Sequence, residues 1–375
     1  MRRLLVALVL GACTLLPGAQ ASPARTATRP AATAAAPPSA LPPLLSPLVS
    51  LADGTRVVSI PDCDARSAGG LPPACELLTS AVDRGVFVGI LRRHQAGQIT
   101  FEARAIDLAS GQLRVLKAPG IAGLAIEDVR DDVVILSETI DTGPAQAHVR
   151  LFRIAWRDPA RTETLDEIDI DGLAGGDAWN PWPAAKTNGR EVVWLRAGLF
   201  APHELVLLGA DGKRRTVQRA DGPQWFDLDD VGRVVVATIG PRQDTQDLVL
   251  YESGRARALG SRAVDAGGFV MSFGDWVGWA RGYGTARPPE EIELISLTGA
   301  AARAARAAPS CVIVGRTGRE VVTVCPAGAR LLDVASGVAR DGPPSRVVLA
   351  FRRGLLWRTS ADLGANPEVW RITLL

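Results

Sequence analysis

The chain has 375 residues, 47% of them hydrophobic, with 38 glycines and 26 prolines. That length suits a large core or a repeat array, and the glycine and proline content suits a turn-rich one. Lys and Arg total 42 against 40 Asp and Glu, and the two signs are interspersed, which excludes a nucleic-acid binder that works through a clustered basic surface.

Met1-Arg2-Arg3 is a short basic segment, Leu4 to Leu16 is apolar, and Pro17-Gly18 ends the run before Ala19-Gln20-Ala21. The run is short for a bilayer span and its small residues suit signal peptidase, so residues 1–21 read as a signal peptide cleaved near Ala21. Losing Arg2 and Arg3 leaves 42 − 2 = 40 basic against 40 acidic residues. The alternative is a lipoprotein box, Leu10-Gly11-Ala12-Cys13, with the chain anchored through a lipidated Cys13. No later segment approaches the roughly 20 apolar residues of a spanning helix, so the expectation is an exported protein, extracellular or in the cell envelope, with no transmembrane span. Residues 22–46 are almost entirely Ala, Pro, Ser and Thr, a disordered linker by composition.

From residue 47 to 375 the chain reads as one domain of repeated units. Short apolar runs begin at Val86, Val133, Val192, Val234, Val277, Val321 and Leu355, most of them about 42 to 47 residues apart, as in four-stranded propeller blades. Turns recur with them: Ser110-Gly111, Asp211-Gly212, Ser253-Gly254, Thr298-Gly299 and Ser336-Gly337 fit the third-to-fourth (C-to-D) hairpin of each unit. Thr187-Asn188-Gly189-Arg190-Glu191-Val192-Val193 and Thr317-Gly318-Arg319-Glu320-Val321-Val322 fit the first-to-second (A-to-B) turn. No window outside residues 1–21 keeps the spacing of an amphipathic helix for three turns, and only the Ala-rich stretch 299–308 looks helical at all. The fold class is therefore all-β, a seven-bladed β-propeller, with six blades as the alternative because the unit from Val133 to Val192 is long. The last unit is one strand short, and Thr55 to Ile60 is expected to close the ring by supplying it.

Besides Cys13 there are four cysteines, Cys63, Cys75, Cys311 and Cys325, an even set that suits export. Cys311 and Cys325 lie equally far from Gly318, so a hairpin turning there sets them opposite each other, and Cys63 then pairs with Cys75. Their spacing lacks the short knuckles of a zinc ribbon, so they are expected as disulfides.

Periodicity, with patterns such as Arg190-Glu191-Val192-Val193-Trp194 and Glu204-Leu205-Val206-Leu207-Leu208, resembles the broad superfamily of exported bacterial propellers with TolB-like and WD40-like repeats over residues 47–375. The resemblance implies the propeller fold. The Ser-Pro-Asp-Gly turn and the Trp-Asp signature of those repeats are absent, so no partner or cofactor is carried over from them.

No nucleophile elbow, phosphate loop or zinc-protease motif is present, so no catalytic residue is assigned. The expected function is that of a non-enzymatic, monomeric binding or scaffold module for a protein, peptide or glycan, with no cofactor and no metal. The alternative is a glycan hydrolase or lyase using channel-mouth carboxylates drawn from Glu127, Asp128, Asp177, Asp227 and Asp265, although turn or bend positions explain most of these. Ligands are expected on the face carrying the second-to-third (B-to-C) and fourth-to-first (D-to-A) connections. Candidate binding residues there are Trp179, Asn180 and Trp182, whose rings suit stacking, together with His203, Arg281 and Tyr283. His94, His148 and His203 are expected in B-to-C loops as solvated residues rather than metal ligands.

Overall fold

In the computed structural model the described residues are 49–50, 55–60, 75–95, 97–143, 146–171, 184–196, 203–220, 224–239, 245–263, 270–280, 291–360, 362 and 368–375. They form seven antiparallel sheets, each a blade. The inner strands are Cys75–Asp83, Gly123–Arg130, Ala185–Thr187, Gln224–Leu228, Val270–Ser272, Val312–Thr317 and Val347–Phe351 for blades 1 to 7. Inner strands of successive blades lie beside one another and wall a central channel, and the second strands are the apolar runs of the sequence, from Val86 to Leu355. These runs are buried because both faces of a second strand pack against neighbouring blades, which replaces alternation with continuous Val and Leu. The long second unit adds no blade and loses none; its outer strands, Val133–Gly143, Gln146–Ala155 and Thr162–Asp171, are long themselves.

Blade 7 unites the two ends of the chain. Its three inner strands come from Val347–Phe351, Gly354–Arg358 and Glu368–Leu374, and Arg56–Ile60 pairs with the last of these, Val58 opposite Trp370. Val49–Ser50 adds a fifth strand outside it. Val58 is wholly buried in a cluster with Leu356 and Ile372 of blade 7 and Val82, Phe87 and Ile106 of blade 1. The described core comprises seven such clusters, one at each blade-to-blade boundary, so the ring closes with the same kind of apolar seam all round. Full burial of a Val such as Val58 is worth about 1.5 to 3 kcal/mol.

The repeated turns take the conformation that their glycines permit. Gly111, Gly212, Gly254, Gly299 and Gly337 all have φ between 72° and 90°, in the left-handed region. The Ala-rich stretch is not helical: Arg303–Arg306 is the outer strand of blade 5.

Cys311 and Cys325 form a disulfide, with their Cα atoms 4.2 Å apart. The hairpin closes with Thr317 opposite Glu320, a register that continued unbroken would set Cys311 against residue 326. A bulge at Val314 moves the pairing by one, to Val312 opposite Val324, and so aligns the two sulfurs. Cys63 lies outside the described residues; Cys75 opens the inner strand of blade 1, and its side chain is likewise outside the description.

Candidate functional site: the central channel

Asp227, on the inner strand of blade 4, sits at the A-to-B end of the channel and is 4% exposed. Its Oδ2 accepts the backbone N–H of Ser272 from blade 5 at 2.8 Å and Nη2 of Arg316 from blade 6 at 2.6 Å. Its Oδ1 accepts the Leu228 N–H at 3.0 Å and Nη2 of Arg352 from blade 7 at 3.0 Å. Arg352 also donates to the carbonyl of Thr187 in blade 3 at 3.2 Å and to that of Leu228. One carboxylate thus gathers blades 4 to 7 across the channel, and Arg352 adds blade 3. Burial on its own raises an Asp pKa, but the charges of Arg316, Arg352 and Lys186 and the Ser272 N–H overcome it and hold Asp227 at about 2.

A second set of charges continues the lock. Arg130 of blade 2, 1% exposed, reaches Asp230 Oδ1 at 2.5 Å and Asp83 Oδ1 of blade 1 at 3.5 Å. Asp83 Oδ2 accepts the Asp131 N–H at 2.7 Å, and Arg353 bridges to Asp131 Oδ1 at 2.5 Å. Burial raises the Asp83 pKa, and the Asp131 N–H, Arg130 and Arg353 only partly offset that. A cleft of about 290 Å³ opens beside these turns, lined in part by Arg130, Asp131, Asn188, Arg190, Asp230 and Arg353. Arg130 and Arg353 in its walls are already paired with its carboxylates or with Asp83.

Toward the other end the wall changes character. Leu78, Val314 and Leu349, on the inner strands of blades 1, 6 and 7, are 42%, 38% and 43% exposed. Lys186 on the inner strand of blade 3 faces Val193 across its hairpin, as Asp227 faces Val235 and Leu349 faces Leu356, so the three occupy one rung of the channel. Val314 is bulged one step nearer the mouth and Leu78 lies further out, between Leu77 and Thr79.

The carboxylates behave otherwise than the sequence implied. Glu127, Asp128 and Asp227 lie within strands and do not form turns. Glu127 Oε1 accepts Ser137 Oγ at 2.6 Å and Asp128 Oδ2 accepts the Thr187 N–H at 2.8 Å. Asp227, with four donors and two guanidinium partners, is neither a general acid at neutral pH nor a free nucleophile. Asp177 and Asp265 lie outside the described residues, as do Trp179, Asn180, Trp182, Arg281 and Tyr283.

The three histidines lie in strands rather than loops, at strand ends beside the B-to-C connections of three blades. His203 opens the third strand of blade 3, half-buried, and burial pushes its imidazole pKa down. Its carbonyl accepts Gln224 Nε2 at 3.0 Å. His148 Nδ1 lies 2.6 Å from Asp169, and its Nε2 accepts Arg150 Nε at 2.9 Å. Among the described residues no group of His, Cys, Asp and Glu is placed to hold a metal ion. Trp194 and Trp279 fill blade boundaries, their indole N–H groups donating to Asp166 and Gln246, and Trp225 packs against the Trp279 cluster. Sequence reasoning missed Arg316 and Arg352. The only local signal for them is an arginine beside a tight turn, in Gly315-Arg316-Thr317-Gly318 and Arg352-Arg353-Gly354.

No known protein family matches the sequence, and neither does any curated protein. Solved structures do match in fold. A prolyl endopeptidase superposes with a TM-score of 0.53 at 13% identity over 80% of this chain and 50% of its own, so this chain spans half that enzyme's length. The β-propeller domain of the trilobed protease from Pyrococcus furiosus, described as an open velcro topology, gives 0.53 at 8% identity over 76% of this chain and 90% of its own. TolB from Acinetobacter baumannii gives 0.37 at 8% identity over 69% and 77%. At such identities the likeness is one of fold, and at that level the chain is a seven-bladed β-propeller.

Proposed function

We propose that the protein is an exported binding module that takes a polypeptide segment into its channel from the end opposite the A-to-B turns. The observation that supports this most is the asymmetry of the channel: charge pairs tie the A-to-B end, while the inner strands present accessible Leu78, Val314 and Leu349 away from those turns. Each inner strand is also a sheet edge, so beyond the Thr187, Leu228 and Ser272 groups engaged in the lock its outward N–H and C=O groups can pair with an extended backbone. The glycan and glycosidase readings gain nothing from Asp227, which is committed to Arg316 and Arg352. Export rests on residues 1–21, with cleavage near Ala21, and the Cys311–Cys325 disulfide supports an oxidising compartment. Among the described residues no helix is long and apolar enough to cross a membrane.

The test is to immobilise the full chain and offer it a random dodecapeptide pool and a glycan array. Saturable peptide capture with the ligand recovered intact is expected. Binding confined to glycans, or consumption of one, would overturn the proposal.

A further inference from the structure

We infer that the channel is a site for the free C-terminal carboxylate of a polypeptide with an apolar last residue, seated on Lys186. This rests on the polypeptide-binding reading above and specifies which part of the polypeptide enters. Lys186 is half-buried on the inner strand of blade 3 and, among the described residues, makes no hydrogen bond or ion pair, although its charge is felt by Asp227. Asp227 is bonded to Arg316 and Arg352 instead, and Asp128, the neighbouring carboxylate, accepts the Thr187 N–H. The rung therefore carries an ammonium whose local carboxylates are engaged by other donors. A partly desolvated ammonium whose nearest carboxylates are hydrogen-bonded elsewhere gains from an anion that bonds it directly.

What else lines the site narrows that anion. Leu349 shares the rung with Lys186, and Val314 and Leu78 continue the apolar wall toward the mouth, so the carboxylate must carry an apolar group beside it. The unpaired edges of the inner strands offer backbone partners to the residues that follow it outward. A peptide C-terminus ending in a residue such as Leu has all three features in the right order: charge deepest, apolar side chain beside it, and amide groups trailing to the mouth. The Asp227 lock stops it from passing through.

The test uses the full chain and two fluorescently labelled pentapeptide pools, each randomised at four positions and ending in Leu, one with a free carboxylate and one amidated. Anisotropy should show the carboxylate pool binding at least about tenfold more tightly, the size of one charge-assisted hydrogen bond in a partly buried site. Lys186→Met should abolish that preference with an unchanged urea midpoint, Lys186→Arg should keep it, and Leu349→Asp should weaken the carboxylate pool selectively. Equal binding of the two pools, or a preference that survives Lys186→Met, would overturn the inference and leave the polypeptide reading standing. Failure of both pools and of the random dodecapeptides would remove both.

Discussion

The two ends of the channel are built from the same strands and carry different side chains. At the A-to-B end the turns bring Asp83, Arg130, Asp227, Asp230, Arg316 and Arg352 from five different blades into contact. On the Asp227 rung the inner strands of blades 3 and 7 carry half-buried Lys186 and exposed Leu349, and toward the other end those of blades 6 and 1 carry exposed Val314 and Leu78. A ring of blades needs its inner strands tied only once along their length. Tying them at one end frees the other to present side chains that contribute little to stability. Buried charges suit the tie because each guanidinium spans a gap that an apolar side chain would leave open, at the cost of demanding every partner.

The difference is open to attack from several sides. The largest effect is expected at the closure that both ends depend on: Val58→Asp places a carboxylate in the wholly buried seam between blades 7 and 1, and should cost about 4 kcal/mol or abolish cooperative unfolding in urea. Next, Cys311→Ser with Cys325→Ser removes a cross-link spanning 14 residues, for which the chain-entropy account gives about 3 kcal/mol, read as a lower thermal midpoint in the absence of reductant.

The acid limb of stability isolates the lock. Asp227 has a folded pKa of about 2 against an ordinary 3.8, so it binds its proton more weakly folded than unfolded. Its contribution, about 2 kcal/mol, is present above pH 4 and lost as pH falls toward 2. Asp83, whose pKa burial raises, acts in the opposite sense: its share is greatest below pH 3.8 and declines as pH rises through its folded pKa. Urea midpoints from pH 5 to 2 should therefore fall in wild type and fall less steeply in Asp227→Asn. The smallest effect belongs to the rung residues outside the lock, where Leu349→Ser and Lys186→Met should each change stability by less than about 0.5 kcal/mol. A loss of 2 kcal/mol at either would mean that this rung is core and not a site.

How much of this the chain discloses follows from how local each feature is. The second strands were legible because Val86-Phe87-Val88, Val192-Val193-Trp194 and Val234-Val235-Val236 are buried on both faces, and the C-to-D turns because each needs one glycine at positive φ. The closing strand Arg56–Ile60 was legible as the complement of an incomplete last unit. The disulfide pairing came from symmetry about Gly318, but the sulfurs meet only because a bulge at Val314 offsets the two-residue turn, and nothing in Val312-Ile313-Val314 announces a bulge. The lock was not legible. Its members stand 89 and 125 residues apart, and Asp227 in Phe226-Asp227-Leu228-Asp229-Asp230 has the look of a turn former until ring closure sets two arginines against it. The aromatic site envisaged around Trp179, Trp182 and Tyr283 lies outside the described residues.

The measurement that bears most directly on the two-ended account is a double-mutant cycle between Asp227→Ala and Arg352→Ala, followed by urea unfolding at pH 7. If these side chains tie the inner strands together, Asp227→Ala alone should cost about 3 kcal/mol, and the pair should couple by about 1 to 3 kcal/mol, because the second substitution removes a cation that the first leaves buried and unpaired. Effects that add within about 0.4 kcal/mol would contradict it, leaving the A-to-B end no more of a lock than the opposite end.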